Sequence, residues 1–184
     1  MSDLVKSDRN YPAQVETHAI KLAQSAAQTV RALEEIVWAV RPGSDSLQSL
    51  VEYIAHFANE LFENDPVRCR LDLPPDLPAR PLPPDVRHNI FLIVKEALTN
   101  ALRHAGAKEV RVSAKVSGST LEIVVADDGR GFAANGPKSP AKGNGLGNMR
   151  RRTGNIGAAL TVETALGQGT AVRLLTILPG RVGV

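Results

Sequence analysis

Apolar residues first recur at helical spacing. Between Pro12 and Val40 the chain has no further proline and no glycine, and Ile20, Ala23, Ala27, Val30, Leu33, Ile36, Val37 and Val40 fall three or four residues apart. This predicts a helix that starts at Pro12 and stops at Arg41-Pro42-Gly43. Ser46 or Asp45 can cap a second helix from about Leu47 to Phe62, which Asn64-Asp65-Pro66 ends. The period then changes to two. Val67, Cys69, Leu71 and Leu73 alternate with polar residues and predict a strand. A proline-rich loop, 74–84, leads to a helix from Asp85 to about His104. Lys108 to Val116 and Leu121 to Ala126 form a hairpin around Ser117-Gly118-Ser119. A stretch rich in Gly, Pro, Asn and Lys, 127–144, is a loop of a length that is usually functional or mobile. A helix near Leu146 to Thr153 follows. A last hairpin, Ala159 to Thr164 and Thr170 to Leu178, turns at Leu166-Gly167-Gln168-Gly169. Helices come first and strands cluster late, which predicts an α+β fold with helices layered on a sheet.

Composition narrows the setting. Of 184 residues 43% are hydrophobic but only 4% aromatic, so the core must rest on Leu, Val, Ile and Ala. One cysteine, Cys69, excludes a disulfide within the chain and fits a reducing compartment. No run reaches the roughly 20 apolar residues needed to cross a bilayer, and the first residues lack the apolar run of a signal peptide. A cytoplasmic protein, or the cytoplasmic portion of a membrane-bound sensor, is expected. The net charge of +3 suits a phosphate-bearing ligand. Nucleic acid is not expected, because the basic residues lack interleaved aromatics.

Four short segments carry candidate chemistry. On the helix from Asp85, at about 100° per residue, Glu96, Asn100, Arg103 and His104 share one face, while Phe91, Val94, Leu98, Ala101 and Leu102 lie opposite. Alone, such a face is more often simply solvated. Asp127-Asp128-Gly129-Arg130-Gly131 follows a strand. There a carboxylate can accept a hydrogen bond from an exocyclic amine, and the glycines permit a sharp turn and close approach of a ligand. Alone it is an ordinary Asp-Gly turn. Gly143-Asn144-Gly145-Leu146-Gly147 opens a helix and exposes backbone N–H groups suited to phosphate oxygens. It is neither a Walker loop nor a dinucleotide fingerprint. Gly167-Gln168-Gly169-Thr170 reads in isolation as a hairpin tip.

In their order and spacing these segments resemble one superfamily, that of gyrase, heat-shock chaperone, histidine kinase and mismatch-repair ATPases (GHKL). Glu96 to Ala105 resembles its N box, Asp127-x-Gly129-x-Gly131 and Gly143-x-Gly145-x-Gly147 its two glycine boxes, and Gly167-x-Gly169-Thr170 its terminal Gly-Thr motif. The run from Val94 to Ala107 is most similar to sensor kinases of the nitrate-sensor and degradation-regulator type (the HisKA_3 subgroup). Glu35 to Pro42 resembles the region before their ATPase domain. The resemblance implies a two-layer α/β sandwich, the Bergerat fold, with a mixed sheet covered by helices on one face and a helical segment before it. It implies that residues 1–43 are the second helix of a dimerisation and phosphoacceptor hairpin and residues 44–184 the ATP-binding catalytic domain.

The resemblance also implies roles. Asp127 would bind the adenine amino group, helped by Thr170. Asn100 would hold Mg²⁺, and Glu96 would orient or activate. Gly129, Gly131, Arg103, His104, Gly143, Gly145, Leu146 and Gly147 would line the nucleotide. None of His18, His56, His88 or His104 is followed by Asp or Glu, as the acceptor histidine of such kinases is. The acceptor is therefore expected on a helix before Met1, and the chain is not expected to phosphorylate itself. Expected partners are the phosphoacceptor helix of the same kinase, a response regulator and, in the intact kinase, a second copy. Contact with a membrane is expected only through the missing N-terminal part. Two alternatives are a serine kinase of the anti-sigma type and a nucleotide-binding module without activity.

Overall fold

The computed structural model describes residues 12–40, 46–78, 80–132 and 144–179. They fall into two compact units that divide after Val40. The first is one helix, α1 (Pro12–Val40), 29 residues long. On its apolar stripe Ile20, Val30, Leu33, Ile36 and Val37 are each more than half exposed.

The second unit begins with α2 (Leu47–Phe62). The Ser46 hydroxyl caps it by accepting a hydrogen bond from the Ser49 N–H at 3.1 Å. Leu47, Leu50, Ile54, Ala58 and Phe62 line its buried stripe. Strand β1 (Arg68–Asp72) follows. Helix α3 (Pro84–Asn100) starts with proline in its first turn, where a missing N–H costs nothing, and Asp85 complements the helix dipole there. Phe91 is fully buried. It joins the two helices, with the Tyr53 ring 4.7 Å and the Phe57 ring 5.4 Å from its own.

Past Asn100 the helix does not continue to His104 in the form its spacing predicts. Residues Ala101–Ala105 form a π turn that ends at Gly106, whose φ of 60° gives the left-handed stop. The wider turn re-aims Arg103 and His104, and both are exposed.

Strands β2 (Glu109–Ser117), β3 (Thr120–Asp127), β4 (Ala159–Thr164) and β5 (Thr170–Ile177) complete a five-stranded sheet, and helix α4 (Asn144–Asn155) precedes β4. The strand order is β1-β2-β3-β5-β4. Only β1 and β2 pair in parallel; the other pairs are antiparallel, so the sheet is mixed. Val110, Val112, Leu121, Ile123, Val125, Val172 and Leu174 alternate onto the buried face. The other face carries charge. There Arg111 meets Asp72 at 3.2 Å, and Arg173 pairs with Glu122 across β5 and β3. These part-exposed pairs contribute little stability. The fold is the α+β class expected: a two-layer arrangement with helices on one face of a mixed sheet.

Candidate nucleotide site

Glu96 and Asn100 lie one turn apart on α3 and are both half-buried. The Asn100 amide nitrogen donates to Glu96 Oε1 at 3.3 Å. With the nitrogen donating there, the amide oxygen keeps its capacity as an acceptor. The first turn of α4 lies against this pair. A Cβ on Gly145 would stand 2.2 Å from Glu96 Oε1 and 3.5 Å from Asn100 Nδ2. The first N–H groups of a helix have no partner within it, so α4 brings free donors to the edge of the Glu96–Asn100 pair. Around Gly147 the space is open: a Cβ at that position would meet nothing within 4 Å. Leu146 is half-buried between them, and Gly143 lies outside the described residues.

The second half of the site is a row across the sheet. Asp127 on β3 pairs with Thr170 on β5, and Thr170 pairs with Thr164 on β4. Residues directly opposite share a face, so these three side chains stand in line on the helix-covered side. Asp127 Oδ1 accepts from the Gly129 N–H at 2.9 Å. Burial pushes the Asp127 carboxyl above its ordinary range; the Gly129 and Thr170 backbone N–H groups oppose this, and the charge of Asp128 adds to it.

Asp128 behaves in the opposite way. Its Oδ1 accepts from the backbone N–H of Lys108 at 2.7 Å and of Glu109 at 2.9 Å. The Glu109 and Lys108 N–H groups hold its carboxyl below the usual value. It fastens the end of β3 to the start of β2 and has no place among the site residues that the sequence predicts. Thr164 is likewise outside that set. Its strand position follows from the alternation, but its hydroxyl partners, at Phe132, Gly169 and Thr170, are set by the tertiary fold.

The glycines of the first box answer to the chain itself. A Cβ on Gly129 would lie 2.4 Å from the Ala105 carbonyl oxygen. The neighbouring Arg130 N–H donates to that same oxygen at 2.9 Å. Gly131 has a φ of 56°, and a Cβ there would meet Ala165 O at 2.0 Å. The close approach expected of a ligand at these two glycines is, in the structure, an approach of the backbone at Ala105 and Ala165. Its consequence is positional. Ala105 ends the π turn that follows Asn100, so the Asp127 segment is locked to the helix that carries Asn100. Arg103 and His104 sit on that turn and are exposed.

Among the described residues no group of three or more His, Cys, Asp or Glu could hold a metal ion. The Asn100 amide oxygen is a hard donor of the kind a divalent cation takes alongside phosphate and water, and the Glu96 carboxylate stands beside it. Magnesium accepts such a set.

A family described as histidine kinase-, DNA gyrase B- and HSP90-like ATPases matches residues 85–180. The sensor histidine kinase LiaS of Bacillus subtilis is 29% identical over 153 residues, covering 83% of this chain and 40% of LiaS. The sensor histidine kinase LnrJ of the same organism is 29% identical over 142 residues, 77% of this chain and 34% of LnrJ. The chain thus spans well under half of either relative. Among solved structures, the blue-light activated histidine kinase of Erythrobacter litoralis EL346 superposes with a TM-score of 0.65 at 26% identity, over 86% of this chain and 50% of that one. Full-length ShkA in complex with AMPPNP shares the fold, with a TM-score of 0.65 at 17% identity over 98% of this chain and 42% of that one. Among the described residues no helix is long and apolar enough to cross a membrane.

Proposed function

From the premise that the chain belongs to the histidine kinase-, DNA gyrase B- and HSP90-like ATPase family, we propose that it binds ATP with Mg²⁺ and passes the γ-phosphoryl group to a histidine outside these 184 residues. Its relatives make it a histidine kinase ATPase catalytic domain. The observation that carries the finer reading is the seating of the α4 start on Glu96 and Asn100, on the helix locked through Ala105 to the Asp127 segment. One half offers hard oxygens and free N–H groups, which suit a triphosphate. The other offers a carboxylate in a row with Thr170, which suits an exocyclic amine.

In this reading Asp127 accepts from the adenine amino group. The Asn100 amide oxygen, with Glu96 beside it, would hold Mg²⁺, which when bound offsets charge on the phosphates. The first-turn N–H groups of α4, at Gly145, Leu146 and Gly147, receive phosphate oxygens, and Arg103 and His104 lie one turn past Asn100 to meet them. Gly129 and Gly131 act by holding the backbone, and Gly143 is counted with the residues that meet the nucleotide. Phosphoryl transfer relies on positioning and charge neutralisation, which these groups supply. The acceptor belongs to a helix of the same kinase, of the nitrate-sensor and degradation-regulator subgroup. A response regulator receives the phosphoryl group afterwards. The exposed stripe of α1 meets a second copy in the intact kinase, whose catalytic end is cytoplasmic.

Calorimetry with ATP in the presence of Mg²⁺ tests the site. Micromolar binding is expected in the parent chain, lost in Asp127→Asn and weakened in Asn100→Asp. A parent chain that takes up no adenine nucleotide removes the reading.

A further inference from the structure

The hydroxyl of Thr164 makes three contacts at once. It accepts from the Phe132 N–H at 3.1 Å, it donates to the Gly169 carbonyl at 3.1 Å, and it lies 3.2 Å from the Thr170 hydroxyl. A threonine hydroxyl has one proton and two acceptor positions. A carbonyl has no proton to give, so the contact with Gly169 takes the one that Thr164 has. An N–H can only donate, so Phe132 takes one acceptor position. In the third contact Thr170 must then be the donor. Its own proton is committed to Thr164, and what Thr170 Oγ1 can still present is lone pairs.

The polarity of Thr170 matters because of its neighbour. Thr170 stands directly opposite Asp127 on the same face of the sheet, where side chains lie within about 5 Å. The loop is built to keep the relay in place. Gly169 has a φ of 71°, and a Cβ there would stand 2.0 Å from the Asp127 carbonyl oxygen. The carbonyl that takes the Thr164 proton is thus held by the same glycine that lets the loop close on β3.

We propose that Thr164 is a specificity-positioning residue: by taking the proton of Thr170 it leaves two acceptors, Asp127 and Thr170 Oγ1, side by side, so that the pair receives a 6-amino purine and rejects a 6-oxo purine. The inference rests on the nucleotide site proposed above and adds the source of its base selectivity. Thr164 need not touch the base. It acts through the direction of one hydroxyl.

The test compares ATP with inosine triphosphate, which replaces the 6-amino group by a carbonyl and adds no 2-amino group. Both are titrated with Mg²⁺ into the full chain, as parent, T164V, T164A and T164S. The parent favours ATP. In T164V and T164A the Thr170 proton is released and can turn to a carbonyl, so the ATP:ITP affinity ratio falls about tenfold or more. T164S keeps the hydroxyl and stays within about twofold of the parent ratio. If T164V fails to fold, T164A decides. A parent-like ratio in the hydroxyl-free variants, whatever the change in overall affinity, overturns the inference and leaves the nucleotide site standing. A parent chain that binds neither nucleotide removes both.

Discussion

Two adjacent aspartates sit in opposite environments, and pH separates them. Asp128 accepts two backbone N–H groups, which holds its carboxyl below the ordinary 3.8. A carboxylate lowered on folding contributes stability above its unfolded pKa and loses it as the pH falls through the folded one. Asp128→Asn should therefore lower the melting temperature at neutral pH, and the gap to the parent should close as the pH drops below about 3.8. Thermal melts across that range check this; a constant gap would mean that the charge of Asp128 is not what fastens β3 to β2. Asp127 has the opposite sign. Its carboxyl is raised by burial, so ionising it costs stability as the pH rises from 3.8 through the raised value. Because only the ionised form is a pure acceptor, nucleotide affinity is expected to decline on acidification at a higher pH than an ordinary aspartate would give. Titrations of ATP at stepped pH measure that midpoint.

At the scale of elements, the glycines divide by what surrounds them. Gly129 faces the Ala105 backbone at a distance no Cβ can share, so Gly129→Ala should destabilise the fold by about 1–3 kcal/mol. Gly147 lies within α4 with open space around it, and Gly147→Ala should stabilise the helix by up to about 1 kcal/mol. If the open space receives phosphate, the same substitution weakens ATP binding while the protein melts higher. Chemical unfolding and calorimetry on both variants separate the two cases, and equal stability losses would contradict the contrast. The sequence carries one half of this distinction. The period of two makes both hairpins legible, and β4 runs over the predicted residues, Ala159–Thr164, because a half-buried strand writes its faces into its residues. The order of the glycine segments makes the site legible as a set. What each glycine avoids is not legible, because Ala105 and Ala165 approach from other elements. The π turn is hidden for the same reason. An extra residue per turn leaves no mark on apolar spacing over five residues, and its use, to bring Ala105 against Gly129, is a tertiary contact.

At the scale of the molecule, every residue assigned to the nucleotide lies in the second unit, between Glu96 and Thr170. Its sheet, α2, α3 and α4 share a core in which Leu47, Leu50, Ile90, Phe91 and Leu98 are fully buried. The described part of the first unit is a helix of 29 residues on which five apolar residues are more than half exposed. A helix draws most of its stability from packing, so these exposed apolar residues suit a partner surface. We propose that residues 44–184 are the ATP-binding domain and that residues 1–43 are the second helix of the dimerisation and phosphoacceptor hairpin. A chain cut to residues 44–184 is expected to bind ATP within about twofold of the parent, since it keeps every residue assigned to the nucleotide and a twofold change is less than about 0.6 kcal/mol. The cut chain should also lose any concentration-dependent self-association that sedimentation detects in the parent. Neither chain should label its own histidines from γ-labelled ATP, and adding the acceptor helix of the same kinase should supply the missing nucleophile. Loss of ATP binding on truncation would place the boundary wrongly and make α1 part of the nucleotide site.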